Sequence, residues 1–189
     1  MANEFARDML RVFNIMHIDK SEPRVVAIVT AAYIENYLTG LLKEKMPGLT
    51  SALATRLFRP GEGAIGSLAR KIDMARALSV LTPREADEAV RIARIRNRFA
   101  HNLDVDNFDH EEVAPLIDAL TSSRGVSILH EDGTETPVDK NWDRARRFTN
   151  AALGLCVIIM GRHITEHPFS YEIKVPKAAK PDASPSKSE

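Results

Sequence analysis

The stretch from Arg24 to Met46 is apolar on nearly every side, and this constrains the fold more than any other feature of the chain. Val25, Val26, Ile28, Val29, Tyr33, Ile34, Leu38, Leu41 and Leu42 leave no broad polar stripe, and a helix that is hydrophobic all round has to be surrounded by other elements. Ser21-Glu22-Pro23 supplies its start, with serine as N-cap and proline in the first turn. One arc of this helix, continuing from Val25, Ile28 and Ala32, turns polar at Glu35, Asn36 and Thr39. A glutamate in that position could answer a cation on a neighbouring helix.

The neighbours are also helical. Phe5, Met9, Val12, Phe13 and Met16 recur at helical spacing over Met1 to His17. Pro47-Gly48 breaks the chain, Leu49 to Phe58 makes a short helix, and Ala64 to Leu81 the next. Thr82-Pro83-Arg84-Glu85 is a capping box with proline at the first helical position, and it opens a helix that runs to His101. Asp109 to Glu112 repeats the device for a helix ending near Leu120. A last long helix, Trp142 to His163, should bury Phe148, Ala152, Leu155, Ile158 and Ile159. The strand signal lies in Val126 to Val138, where Asp132-Gly133 between Ile128-Leu129 and the threonines suggests a small peripheral hairpin. These elements predict an all-α bundle in one domain over 1–171. From Lys174 onward proline, serine, lysine and alanine replace large apolar residues, so 172–189 reads as a disordered tail.

With 26 basic and 26 acidic side chains in 189 residues, the chain does not offer the broad positive surface that holds nucleic acid non-specifically. Direct DNA binding is therefore not expected, and no short recognition helix follows a glycine turn. The single cysteine, Cys156, excludes an internal disulfide, and its apolar setting suits core packing. Met1 to Leu10 carries Glu4, Arg7 and Asp8 and no apolar signal core, while Ala151 to Met160 is too short to span a bilayer. A cytoplasmic protein without a membrane anchor is the expectation.

Several chemical signatures dissolve on inspection. Gly61, Gly63 and Gly66 spell G-x-G-x-x-G, but a helix rather than a strand precedes them, so a structural loop is expected in place of a phosphate cradle. His101 with Asp104, Asp106 and Asp109 lacks recurrent ligand spacing and the glycine of a calcium loop, so no metal or cofactor is implied. No serine sits in a G-x-S-x-G elbow.

Arg96-Asn97-Arg98-Phe99-Ala100-His101 remains. At about 100° per residue, Ala89, Ile92, Ala93, Phe99 and Ala100 form one stripe, and Arg96 falls in its middle. Arg91, Arg94 and Arg98 project the other way, where Asp87 and Glu88 can pair with them. A guanidinium on an apolar face cannot shed its charge, so Arg96 demands a carboxylate, carbonyls or a phosphate. Glu35 is one candidate.

Arg-Asn-x-x-x-His near the end of a helix resembles the signature of the HEPN superfamily. The block from Pro60-Gly-Glu-Gly-Ala-Ile-Gly-Ser-Leu through Thr82-Pro-Arg-Glu-Ala-Asp to Ile95-Arg-Asn-Arg-Phe-Ala-His-Asn is similar to the mannitol operon repressor (MltR) family. The resemblance covers about half of the chain. It implies a HEPN-like helical homodimer in the bacterial cytoplasm, a transcriptional regulator that acts through a protein partner. In that reading Glu35, Arg96 and His101 are structural or interaction residues. The HEPN side implies an alternative, a toxin-like endoribonuclease that needs no metal. There Arg96 would hold the scissile phosphate, His101 would move the proton, Asn97 would orient them, and RNA would be the partner.

Overall fold

The computed structural model describes residues 22–122, 127–129, 134–137 and 142–166. The expected first helix, the Asp132-Gly133 turn and the tail lie outside the described residues. Six helices and a strand pair are described: α1 Pro23–Glu44, α2 Ser51–Leu57, α3 Leu68–Ala77, α4 Pro83–His101, α5 Ala114–Asp118, β1 Ser127–Leu129, β2 Glu135–Pro137 and α6 Arg144–Glu166. The two strands pair antiparallel, with Ile128 opposite Thr136.

The chain is an α-helical bundle, and α1 runs through it against α3, α4 and α6. By length and composition α1 would also suit a bilayer. Ala27, Ala31, Ile34, Leu38, Leu41 and Leu42 are nevertheless fully enclosed by the other helices. Their counterparts are Ile92, Ile95 and Phe99 on α4, Ile72 and Ala75 on α3, and Phe148, Ala152, Leu155 and Ile159 on α6. Phe108 joins two of these helices, edge-on to Phe99 and stacked on Phe148, with ring centroids 5.1 Å away in each case. Edge-to-face and offset contacts of this kind add to simple burial.

Sequence and structure part on details. Ile158 is 38% exposed, and the buried arc of α6 turns instead through Ala151, Cys156 and Met160. Burial pushes the Cys156 thiol up to about 12, so it packs as a small apolar side chain. The helix expected from Ala64 begins only at Leu68, capped by Ser67. Asp109 caps nothing: α5 starts five residues later, at Ala114, and the Asp109 carboxylate pairs with Arg144 at 2.7 Å. An Asn107 side chain that accepts the Asp109 N–H holds this stretch as a turn in place of a helix start.

The capping box at α4 is complete. Thr82 accepts from the Glu85 N–H, and Glu85 accepts from the Thr82 N–H. Glu85 also takes two hydrogen bonds from Arg162 of α6, each 2.7 Å. Burial works to raise the Glu85 pKa, but Arg162 and the Thr82 donors together hold it below the ordinary carboxylate value.

The three glycines are structural. Gly63 N–H bonds the Arg59 carbonyl at 2.8 Å, and Ile65 N–H bonds the Leu57 carbonyl at 2.9 Å, so the loop folds directly onto the end of α2. Gly61 has φ +79°, the left-handed region that side chains disfavour. A Cβ on Gly63 would stand 2.2 Å from the Leu57 carbonyl oxygen, and one on Gly66 2.2 Å from that of Arg59. Gly63 and Gly66 thus record backbone touching backbone, and Gly61 a left-handed turn.

Candidate functional site

Arg96, Asn97 and His101 occupy the last turns of α4, and among the described residues their side chains make no hydrogen bond or ion pair outside the motif. Arg96 is half-buried, while Asn97 and His101 are exposed. The Arg96 guanidinium donates to the Asn97 side-chain oxygen at 2.9 Å, and among the described residues no carboxylate pairs with it. Buried Ala93 and half-buried Ala100 flank it on the same stripe, so a charged group sits at the rim of the core. On a regular helix residues five apart point about 140° away from each other. Arg96 and His101 of one chain therefore look out on different sides of α4.

Glu35 does not answer Arg96. Its carboxylate takes the Lys71 ammonium of α3 at 2.6 Å, and Lys71 is only 5% exposed. The physical reason is that a lysine carried into the core by Ile72 and Ala75 next to it needs an anion more urgently than a half-solvated arginine does. Glu35→Ala should accordingly cost about 2 kcal/mol, less than a fully buried pair because Glu35 is itself a third exposed. A double-mutant cycle by urea denaturation should find a coupling of about 1–2 kcal/mol between Glu35 and Lys71 and below about 0.5 kcal/mol between Glu35 and Arg96. The opposite ranking would restore the Glu35–Arg96 clasp.

Carbonyl capping, the second internal role open to the motif, is taken by Arg24 at one carbonyl of α4 and three of the segment after it. Its guanidinium donates to the carbonyl of Phe99 and, at 3.3, 3.1 and 3.0 Å, to those of Asn102, Leu103 and Val105. Helix ends leave such carbonyls without partners and carry partial negative charge, so one cation there satisfies several acceptors at once. Sequence reasoning missed Arg24. The signal was available: a positive charge in the first turn of α1 opposes that helix's own dipole, and no acidic residue accompanies it there. A residue so placed is held by something outside its helix.

Around this hub the loop is fixed on its other side as well. Glu112 accepts from the Asn102 side chain at 2.8 Å and pairs with Arg98 at 3.0 Å. Asn102 in turn accepts the Asp104 N–H. This arrangement leaves the Leu103 side chain 86% exposed, with Val25 beside Arg24 exposed at 47%. Of the expected intrahelical pairs, Arg91–Glu88 is present at 3.8 Å, while Arg98 takes Glu112 instead. Glu88 is buried, accepting from Thr121 N–H, Thr121 Oγ1 and Ser122 Oγ at 2.7–2.8 Å. Glu88 thus latches the segment after α5 onto α4.

Among the described residues no group of three or more histidine, cysteine, aspartate or glutamate side chains is gathered so as to hold a metal. No family model, curated protein or solved structure matches this chain.

Proposed function

We propose that the chain is a regulatory protein of the mannitol-operon-repressor kind on a HEPN-like bundle, working as a homodimer through protein contacts and without reading DNA directly. The observation that carries this reading is the outward release of Arg96, Asn97 and His101. Lys71 takes the carboxylate and Arg24 takes the carbonyls that could have tied the motif internally. A half-buried guanidinium flanked by alanines on α4, with Leu103 and Val25 exposed at the end of that helix which Arg24 holds, offers an arginine and apolar side chains for a contact. A twofold contact would place the same face of both chains together.

Light scattering at micromolar concentration should give a dimer mass, and Arg96→Glu or Leu103→Asp should weaken the dimer at least about tenfold, the loss expected when an interface anchor is removed. A monomer mass for the wild type would overturn the assembly. In cells, Arg96→Glu protein expressed at wild-type level should misregulate the same transcripts as deletion of the gene. Unchanged transcripts would overturn the regulatory role.

The second reading is metal-independent RNA cleavage, and the exposed His101 favours it. An imidazole can take or give a proton, and a guanidinium can hold a phosphate bidentately while that proton moves. Because Arg96 and His101 diverge on one helix, this chemistry needs a second copy or an RNA that wraps the end of α4. Cleavage in EDTA that leaves 2′,3′-cyclic phosphate ends, and that His101→Ala abolishes, would put this reading first.

A further inference from the structure

At the other end of α1 lies a site that the regulatory reading does not use. α2 is a helix with no buried residue of its own. Thr50 caps its start, its end is gripped by the glycine loop, and it stands as a wall beside the last turns of α1 with Leu57 packed against the core. Between the two runs an open groove of about 690 Å³. Leu49 and Phe58 line it with apolar surface, Ser51 and Thr55 bring hydroxyls, and Lys43 and Arg59 bring two cations.

Among the described residues no carboxylate lines it. The Lys43 ammonium sits 5.5 Å above the Phe58 ring, and among the described residues no carboxylate pairs with it. Among the described residues Arg59 pairs with the exposed Glu62, at 2.9 Å, a pair of the solvated kind that contributes little and exchanges readily. Two cations facing one apolar-floored groove without a buried anion are complementary to a negatively charged ligand that has an apolar face of its own. We propose that the groove between α1 and α2 binds a small organic anion, a carboxylate or phosphate carried on a flat apolar body. The anion meets Lys43 and Arg59, and the body lies against Leu49 and Phe58. Along α1 the groove is about 28 Å from Arg24, so its occupancy is measurable apart from any property of the Arg96 face.

Amide chemical shifts of the full chain, titrated with benzoate and with phenyl phosphate, test this and distinguish the two anion types. Saturable binding is expected for at least one of them, with a Kd of about 5 mM or tighter and perturbed amides centred on residues 39–60. Inorganic phosphate, which lacks the body, and benzyl alcohol, which lacks the charge, should each bind at least about tenfold more weakly. Lys43→Gln and Arg59→Gln, both at the surface and so expected to keep the wild-type spectrum elsewhere, should each weaken the bound anion about fivefold or more, and added salt should weaken it further. The proposal is overturned by benzyl alcohol binding as tightly as the anions, by perturbations lying outside the groove, by unchanged affinity in both variants, or by no saturation with either anion.

Discussion

Gly63→Ala should lower stability by about 3–5 kcal/mol, a fall of about 10–15 °C in Tm for a chain of this size. The new Cβ would lie 2.2 Å from the Leu57 carbonyl oxygen and 2.8 Å from that of Arg56, both backbone atoms that no rotamer change can move aside. To relieve the overlap the loop must lift from α2. That lift breaks the hydrogen bonds from Gly63 N–H to Arg59 and from Ile65 N–H to Leu57, and it disturbs the Arg70 contact to the Gly63 carbonyl at 3.1 Å. Ile65, 4% exposed, would leave the core with it. Gly40→Ala is the internal control: its Cβ meets nothing within 4 Å in the exposed interior of α1, so it should stabilise by about 0.5–1 kcal/mol. Thermal unfolding of the two variants beside the wild type decides the matter. A Gly63→Ala loss below about 1 kcal/mol would mean that the loop is not a clamp.

That contrast bears on how much of this molecule its sequence reveals. Periodicity and caps located the α4 start to the residue, because Thr82 and Glu85 state a reciprocal hydrogen-bond pattern within four positions. The central place of α1 was equally legible from its apolar length, and α3, α4 and α6 pack on it, but the sequence did not show that the face through Val25, Ala32, Asn36 and Gly40 stays exposed. The glycine triplet could be recognised as structural from its helical context, but not which backbone each glycine touches. Long-range partner choice was hidden. Glu35 with Lys71 and Glu88 with Thr121 and Ser122 join residues 33 to 36 positions apart. A wheel drawn for one helix cannot say which neighbour meets it. Nor could the stripe around Arg96 disclose that buried side chains shift toward Ile95 and Phe99 by the last turn, leaving the arginine at the rim. The Asp109 capping pattern failed because Asn107 and Arg144 compete for the same aspartate and win.

Arg24→Ala should cost about 2–4 kcal/mol, since a charge-assisted donor leaves four carbonyls at once, two of them belonging to the fully buried Phe99 and Val105. Arg24→Lys should recover less than half. An ammonium reaches as a point charge, whereas the guanidinium sends Nη1 to the last turn of α4 and Nη2 to the loop after it. The loss should be local as well as global. Amide exchange should accelerate at Leu103 to Val105 before it does in the core of α1, because the cation fixes this loop against the body from 75 to 81 positions away in the sequence. The consequence for function follows from place. His101 is the last residue of α4 and Leu103 the most exposed large apolar side chain described, so both take their position from the backbone that Arg24 holds. If the Arg96 face is the contact surface, Arg24→Lys should weaken the dimer although Arg24 is not offered as a contact. Urea unfolding, amide exchange and light scattering on the same variant read the three effects separately. Full stability and unchanged exchange in Arg24→Ala would remove Arg24 from the site and leave the end of α4 to its own cap.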